Sequence, residues 1–537
     1  MTHADVRSSE QGTGTEGARP AMLEMSGIRK VFGPVVALDG VDFEVGSAEV
    51  HGLLGGNGAG KTTLMNVLYG LYRPDGGTVR LGGDEVVVRN PRDAITHGIG
   101  MVHQNFLQVD SYTVTENIVL GTQQPSFPAL DLREAEAKVA DLSHRFGLTV
   151  DPRVEVERLS VGIRQRVEIL KALYRGARVL VLDEPTTNLT PQEVDSLFGS
   201  LRAIVDEGMS VVFITHKIRE TMAVCDELTI MRDGRRVATL SRRDTTARDL
   251  ATMMVGDEQT ADRVAAVISD GSSPVPVTPA TPALSGPVRV TVRDLTVDND
   301  HGVRAVHGVD LALSRGEVVG VAGVAGNGQV ELAEALAGVR PLAGGQVAVD
   351  EESLAGRPTA EWLGSGVAYV PEDRHRDGIL PAASIIENLV LGAQRGPRFR
   401  RRGLIDWAAA RTHANESMAS YSVKASGPAA AAATLSGGNI QRIILARAFS
   451  HRPGFLILHN PTRGLDIGST QFVYDRVREA TRDGSAVLLL SEDLDELTHL
   501  ADRILVVYAG RVVGERRRGE YDQYELGRLM AGVEEAT

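Results

Sequence analysis

The sequence predicts an α/β fold made of two homologous domains, and two patterns support this prediction. In the first pattern, short apolar runs such as residues 179–182 and 211–215 alternate with segments of helical periodicity such as residues 160–174. Continuous apolar runs separated by helices are typical of a parallel sheet that is covered on both faces. Each half of the chain is therefore expected to contain a parallel sheet flanked by helices.

The second pattern is a repeat with a long period. The glycine-rich segment at residues 55–62 has a counterpart at residues 323–330, and Leu-Ser-Val-Gly at residues 159–162 corresponds to Leu-Ser-Gly-Gly at residues 435–438. Lys61 and Gln329 are 268 positions apart (329 − 61), whereas Ser160 and Ser436 are 276 apart (436 − 160). The second half therefore carries about eight extra residues between these motifs, and we expect them near the arginine-rich stretch at residue 398.

Composition sets the expected domain boundaries. Residues 1–21 are rich in Gly, Ser, Thr and Glu, which predicts a loose tail. Residues 257–287 are rich in Pro, Ser, Thr and Ala, which predicts an extended linker. We therefore expect a first domain over residues 22–256 and a second domain over residues 288–533.

The overall composition excludes several classes of protein. Hydrophobic residues make up 42% and charged residues 24% of the 537 residues, which excludes long disorder. The net charge of −13 disfavours nucleic acid as a partner. Cys225 is the single cysteine, so we expect a core thiol and a reducing compartment. Because the sequence has neither a long apolar run nor a signal peptide, we expect the protein to remain inside the cell.

A phosphate loop is predicted at residues 55–62, which match G-x-x-x-x-G-K-T between an apolar run at 50–54 and a helical segment at 63–69. In this context, glycines turn backbone N–H groups toward the phosphates of a nucleotide, and a purely structural glycine turn is disfavoured. Lys61 is expected to reach the β- and γ-phosphate oxygens, and Thr62 to offer its hydroxyl to Mg²⁺. The candidate nucleotide-binding residues here are Gly55, Gly56, Asn57, Gly58, Ala59, Gly60, Lys61, Thr62 and Thr63.

Two adjacent carboxylates follow the apolar run at residues 179–182. If that run is a strand of the parallel sheet, Asp183 and Glu184 lie at its carboxyl end, where α/β proteins bind ligands. Asp183 could hold Mg²⁺, and Glu184 could orient or deprotonate an attacking water, because phosphoryl transfer depends mainly on positioning and charge neutralisation.

With these motifs the first half resembles the nucleotide-binding domain of ATP-binding-cassette (ABC) proteins, and the resemblance extends over both halves, from residue 22 to residue 532. It implies that each half has a parallel-sheet core, an antiparallel β subdomain and a helical subdomain, with ATP and Mg²⁺ as cofactors. It also implies three further roles: Gln104 would bind the metal and sense a permease, His216 would contact the γ-phosphate, and Phe32 would stack on adenine.

The same resemblance implies that the two domains pair head to tail, so that the signature segment of one half (residues 159–162 or 435–438) completes the ATP site of the other. The catalytic residues of the first site would then be Lys61, Gln104, Glu184 and His216, and its metal ligands Thr62, Gln104 and Asp183. From the second half, this site would receive Ser436, Gly437, Gly438 and Asp466.

The second site departs from this pattern at nearly every catalytic position. Gln329 stands in place of the lysine, Val330 in place of the threonine and Glu372 in place of the glutamine. The two carboxylates and the histidine are replaced by His459, Asn460 and Glu492. A site without its cation, metal carboxylate and base is not expected to hydrolyse ATP. We therefore predict one site that turns over ATP and one structural or regulatory site.

Further strings make the resemblance more specific. Residues 159–173, 370–377 and 461–466 resemble the fused ATPases of importers for simple sugars and nucleosides, and residues 101–107 and 491–495 are closer to the nucleoside branch. The implied partners are two integral membrane permease subunits and, indirectly, an extracytoplasmic solute-binding protein, with no nucleic acid. The implied location is the cytoplasmic face of the cell membrane, where the protein would be peripheral.

The alternative is a soluble ABC-type translation factor, a ribosome-associated ATPase without a permease. It would be expected to have two complete sites and a charged helical linker, and the sequence has neither. The strongest sign of polynucleotide contact is the arginine-rich loop at residues 395–402. Because the chain as a whole is acidic, a solvated or membrane-facing loop is the favoured interpretation.

Overall fold

The computed structural model describes residues 20–33, 35–104, 106–122, 132–187, 189–255, 286–394, 396–450 and 452–533. Most of the predicted tail and linker lies outside these ranges. The described residues fall into two compact units. The first runs to Leu159 and adds Ile163–Pro185 and Phe198–Thr245, and the second holds Ser160–Gly162, Thr186–Leu197 and the residues from Thr246 onward.

The strands of the first half form two sheets. A four-stranded antiparallel sheet has the order β2-β1-β4-β5, and a six-stranded sheet has the order β10-β9-β3-β8-β7-β6, in which β10 is the antiparallel edge strand. The bounds of the described strands are β1 (Ala21–Phe32), β2 (Val35–Gly46), β3 (Val50–Leu54), β4 (Gly76–Leu81), β5 (Asp84–Val86), β6 (Ile99–Val102), β7 (Val179–Asp183), β8 (Ser210–Thr215), β9 (Glu227–Arg232) and β10 (Arg235–Ser241).

Helices of the first half connect and cover these strands. Their bounds are α1 (Lys61–Leu68), α2 (Pro91–Thr96), α3 (Val114–Val119), α4 (Leu132–Arg145), α5 (Val161–Tyr174), α6 (Pro191–Asp206), α7 (Ile218–Val224) and α8 (Ala247–Val255). Leu64, Met65 and Leu68 of α1 are buried in one core with residues of both sheets. Helix α1 thus fixes the phosphate loop between the two sheets.

The second half repeats the same architecture. A four-stranded antiparallel sheet has the order β12-β11-β14-β15, a six-stranded sheet has the order β16-β19-β20-β13-β21-β22, and a two-stranded hairpin is added. The described strands are β11 (Val288–Asp298), β12 (Arg304–Ser314), β13 (Val318–Ala322), β14 (Gly344–Val349), β15 (Glu352–Ser353), β16 (Val367–Val370), β17 (Arg400–Arg401), β18 (Leu404–Ile405), β19 (Phe455–His459), β20 (Ala486–Ser491), β21 (Arg503–Tyr508) and β22 (Arg511–Arg517).

The helices of the second half correspond to those of the first. They are α9 (Gln329–Leu336), α10 (Thr359–Gly364), α11 (Ile385–Val390), α12 (Trp407–Ser420), α13 (Gly437–Phe449), α14 (Ile467–Arg482), α15 (Leu494–Leu500) and α16 (Gln523–Met530). Helices α11, α12 and α13 bury their apolar faces in a separate small core, which makes them a helical subdomain.

The prediction of an α/β fold with two similar halves is confirmed. Strands β3, β7 and β8 are buried along their whole length, as their continuous apolar sequences indicate. The thiol of Cys225 is fully buried, as predicted, and burial raises its pKa. None of the described helices combines the length and the apolar composition that a membrane span requires.

Candidate functional site

The phosphate loop of the first half connects β3 to α1. Gly60 has a φ of 99° and is the N-cap residue of α1. A Cβ atom on Gly60 would lie 2.9 Å from the carbonyl oxygen of Ala37, and one on Gly55 would lie 2.4 Å from that of Met231. Gly55 and Gly60 are therefore required sterically, and the glycine-rich loop leaves its amides and the start of α1 open to an anion.

Lys61 and Thr62 begin α1, directly after the loop. Lys61 is buried, and its Nζ donates hydrogen bonds to the carbonyl oxygens of Gly55 at 2.7 Å and Gly56 at 3.1 Å. The ammonium group is thus held against the loop that would receive the phosphates. Thr62 Oγ1 lies 3.5 Å from Asp183 Oδ2, so the two predicted metal ligands are neighbours.

Asp183 ends β7, and Glu184 follows it in a left-handed backbone conformation with a φ of 49°. This conformation is unfavourable for a glutamate, and the backbone N–H of Glu184 donates a 2.9 Å hydrogen bond to Ile214 of β8. The turn directs the Glu184 side chain to its contacts with the segments that follow β6 and β8.

Two predicted catalytic residues flank Glu184. Gln104 Nε2 donates to one carboxylate oxygen at 3.1 Å, and Nδ1 of His216 lies 2.9 Å from the other. These residues follow β6, β7 and β8, which are adjacent in the parallel sheet. The structure therefore brings Lys61, Thr62, Gln104, Asp183, Glu184 and His216 together at the carboxyl edge of one sheet.

The two carboxylates differ in their pKa. Burial and the adjacent charge of Glu184 raise the pKa of Asp183 to about 6, against the opposing effect of Lys61. Burial alone would also raise the pKa of Glu184, but the hydrogen bond from His216 and the charges of His216 and Lys61 outweigh it, so its pKa is lowered. Glu184 is therefore ionised at neutral pH, as a group that orients or deprotonates water must be.

Phe32 lies at the end of β1 and is 41% exposed. Its ring meets the ring of Tyr72 edge to face, with centroids 5.2 Å apart, and Lys30 Nζ lies 5.3 Å from its centroid. An exposed aromatic held in this way could stack on a base. Its role in binding adenine stays a prediction.

The residues that the second half is predicted to contribute to the first site lie at the start of helices. Ser436 is the N-cap residue of α13, and Asp466 caps α14 by accepting a 2.7 Å hydrogen bond from the Ser469 N–H. A Cβ on Gly437 would lie 3.0 Å from the guanidinium of Arg374, and one on Gly438 would lie 3.4 Å from Ser469 Oγ. Their pairing with the phosphate loop of the first half stays a prediction.

The corresponding pocket of the second half has a volume of about 460 Å³ and is lined by residues 325–326 and 328–331, Glu372, His459, Glu492 and others. Gln329 Nε2 lies 3.3 Å from the carbonyl oxygen of Gly323, in the way that Lys61 contacts Gly55, but it carries no charge. Val330 provides no hydroxyl. The loop shape is retained, whereas the cation and the metal-binding hydroxyl are lost.

The remaining groups of this second pocket form a different network. Nε2 of buried His459 lies 3.6 Å from Glu372 Oε2, and Glu372 also pairs with Arg463. Asn460 repeats the left-handed conformation of Glu184, with a φ of 45°, and its Oδ1 accepts a 3.1 Å hydrogen bond from the Glu492 N–H. Burial raises the pKa of Glu492 to about 7. Unlike the first half, these residues supply neither a lysine, nor a metal-binding hydroxyl, nor an adjacent pair of carboxylates.

Two asparagines were missed by the sequence reasoning. Asn117 is buried; its Oδ1 accepts from the Val109 N–H, and its Nδ2 donates to the Val109 carbonyl oxygen, which ties the segment after Gln104 to α3. Asn388 makes the same pair of bonds to Leu380. The repeated Glu-Asn of residues 116–117 and 387–388 is the signal that could have identified them.

Together, the α/β fold, the glycine loop ending in Lys61 and the paired carboxylates define a phosphate-loop ATPase, a class that binds ATP with Mg²⁺. Residues 38–187 and 306–463, more than half of the chain, match the family model described as ABC transporter. The chain belongs to the ABC transporter family.

Three curated relatives span almost the whole chain. The glucose import ATP-binding protein of Haloferax volcanii is 41% identical over 97% of this chain and 97% of its own length. The nucleoside import ATP-binding protein of Lactococcus lactis is 39% identical over 96% of this chain and 99% of its own length. The guanosine import ATP-binding protein of Bacillus subtilis is 39% identical over 95% of this chain and 97% of its own length.

Proposed function

We propose that the chain is the ATP-hydrolysing subunit of an importer for nucleosides or simple sugars, with nucleosides as the first choice. The observation that carries the proposal is the arrangement around Glu184, whose carboxylate lies 3.1 Å from Gln104 Nε2 and 2.9 Å from His216 Nδ1. The import ATP-binding names of relatives that span the whole chain support the transport role.

In this proposal, residues of the first half carry out the hydrolysis. Thr62 and Asp183, 3.5 Å apart, would hold Mg²⁺, with Gln104 as the third ligand. Bound Mg²⁺ supplies charge neutralisation to the β- and γ-phosphate oxygens. Lys61 would balance the negative charge that develops there. Ionised Glu184 would orient or deprotonate the attacking water, while His216 holds Glu184 in position.

The proposal includes a composite site. Ser436, Gly437, Gly438 and Asp466 would complete the first site by head-to-tail pairing of the two domains. The second pocket has no cation at residue 329 and no ionised base at residue 460, so it would not hydrolyse ATP. Its role would be structural or regulatory.

We further propose that the chain works with two integral membrane permease subunits at the cytoplasmic face of the membrane. An extracytoplasmic solute-binding protein would deliver the solute to those subunits. ATP would close the two domains, and hydrolysis would reopen them, so that this chain supplies force and the other subunits supply selectivity.

Uptake in a deletion strain tests the function. We expect the strain to lose uptake of labelled nucleosides, and wild-type protein and the Glu492→Gln variant to restore it. The Glu184→Gln variant should fail to restore it. If the strain lost only the uptake of monosaccharides, the solute of the importer would be a simple sugar. Unchanged uptake of both solute classes would contradict an importer and favour the ribosome-associated alternative.

A further inference from the structure

The second half carries an arginine-rich hairpin, here the arginine hairpin (residues 398–405), that the ATPase chemistry does not use. Strands β17 and β18 pair Arg400 with Ile405 and Arg401 with Leu404. Between them, Arg402 and Gly403 have φ values of 51° and 87°, as a two-residue type I′ turn requires. The corresponding segment of the first half, residues 120–131, contains no lysine or arginine.

The arginine hairpin is firmly attached to the helical subdomain. Phe399 is buried, and its ring centroid lies 5.2 Å from that of His413 in α12. The Asp406 N–H donates a 2.9 Å hydrogen bond to the Phe399 carbonyl oxygen, and the Asp406 side chain caps α12. An isolated hairpin is only marginally stable, so these contacts hold the tip in a defined position.

The surface of the arginine hairpin is both basic and apolar. Residues 398–405 contain four arginines and no acidic residue, in a chain whose net charge is −13. Next to these arginines, Leu404 is 76% exposed and Trp407 is 50% exposed. The exposed arginines and the exposed apolar side chains thus form one continuous stretch of surface residues.

We propose that the arginine hairpin, together with Trp407, docks on the anionic headgroup surface of a lipid bilayer. Arginine guanidinium groups pair with lipid phosphates, tryptophan favours the membrane interface, and an exposed leucine can insert among the upper acyl chains. A polynucleotide would use the arginines but would leave Leu404 without a partner. The inference goes beyond the proposed function, because coupling through permease subunits requires no lipid contact.

Vesicle binding by the full-length chain tests the inference. We expect binding to phosphatidylcholine vesicles containing phosphatidylglycerol, little binding to pure phosphatidylcholine, and weakening by salt. Each arginine removed should lower the affinity for anionic vesicles about fivefold. The Arg400→Gln/Arg401→Gln/Arg402→Gln variant should therefore bind about 100-fold more weakly than wild type. The matched control, Arg73→Gln/Arg511→Gln/Arg517→Gln, changes three exposed arginines outside the hairpin. It should bind to the vesicles as the wild type does.

Tryptophan fluorescence provides a second readout, since the chain has two tryptophans and Trp362 is buried. We expect a blue shift of Trp407 on anionic vesicles and quenching by brominated lipid, both absent in Trp407→Phe. Retained ATP hydrolysis in each variant shows that the fold is intact. Equal binding by the two triple variants, or tighter binding to a DNA or RNA homopolymer than to anionic vesicles at the same salt, would overturn the proposal.

Discussion

The backbone at Glu184 and Asn460 is strained in the same way, with φ values of 49° and 45°. In each half the strained residue follows a buried strand, and its N–H bonds to the neighbouring strand, at Ile214 or Leu490. A glutamate in this conformation costs folding free energy that an asparagine largely avoids. The first half thus retains an unfavourable residue where ionised carboxylate chemistry is proposed.

Substitution of Glu184 tests this role. We expect Glu184→Gln to lower the rate of Mg²⁺–ATP hydrolysis by the purified chain by at least about 100-fold, because the amide cannot act as a base. The same substitution at a half-buried glutamate of the second pocket, Glu492→Gln, should stay within about threefold of wild type. An equal loss in both variants would mean that the two pockets do not differ as proposed.

A second residue-scale prediction concerns Glu496 in α15. Burial raises its pKa to about 7, although Ser491 and Thr462 donate hydrogen bonds to it. Its folded pKa lies above the unfolded value of 4.5, so its contribution to stability is fully present below pH 4.5 and is lost as the pH rises to 7.

Because glutamine does not titrate, we expect Glu496→Gln to be more stable than wild type at pH 8. Its free energy of unfolding should be larger by about 1–3 kcal/mol, and its melting temperature should be higher. The difference should shrink to near zero by pH 4.5. Calorimetric melting curves at several pH values measure it, and a difference that does not change with pH would contradict the proposed titration of Glu496.

At the scale of elements, a buried asparagine side chain holds the segment that follows β6 and another holds the segment that follows β16. Asn117 and Asn388 each bond the backbone of a residue eight positions earlier. Capping boxes at Thr113 and Ser384 repeat in the same places. In the first half, the bonds of Asn117 and the capping box at Thr113 fix the end of the segment that begins at Gln104.

We expect Asn117→Leu to loosen this segment. The Val109 N–H would lose its acceptor, and the Val109 and Tyr112 carbonyl oxygens would each lose one of their two donors, at about 1–3 kcal/mol in total. Amide hydrogen exchange of residues 107–117 should speed up. ATP hydrolysis by the isolated chain should change little, since the contacts of Glu184 are untouched. Unchanged exchange rates there would show that the segment does not depend on Asn117.

The sequence predicted the strands and the phosphate loop because their signals are local: continuous apolar runs, glycines and a lysine at fixed spacing. It also predicted Asp183, Glu184 and Gln104 as candidates, but not their distances. The contact of Glu184 with both Gln104 and His216 depends on the adjacency of β6, β7 and β8. The Arg463 to Glu372 pair in the second pocket is likewise set by the fold and has no local signal.

At the scale of the whole molecule, the account depends on an unequal division of work between two halves of the same design. The first half retains the lysine, the metal ligands and the proposed base, whereas the second retains Leu-Ser-Gly-Gly at residues 435–438. Each half would thus supply what the other lacks. Because the proposed site takes residues from both halves, its test requires the intact chain.

The most direct measurement places the same substitution in both signature segments, Ser436→Glu and Ser160→Glu, at two exposed serines. A carboxylate facing a bound γ-phosphate repels it, so we predict at least about a 100-fold loss of ATP hydrolysis in Ser436→Glu. Ser160→Glu should remain within about threefold of wild type. Equal losses, or a larger loss in Ser160→Glu, would contradict the account.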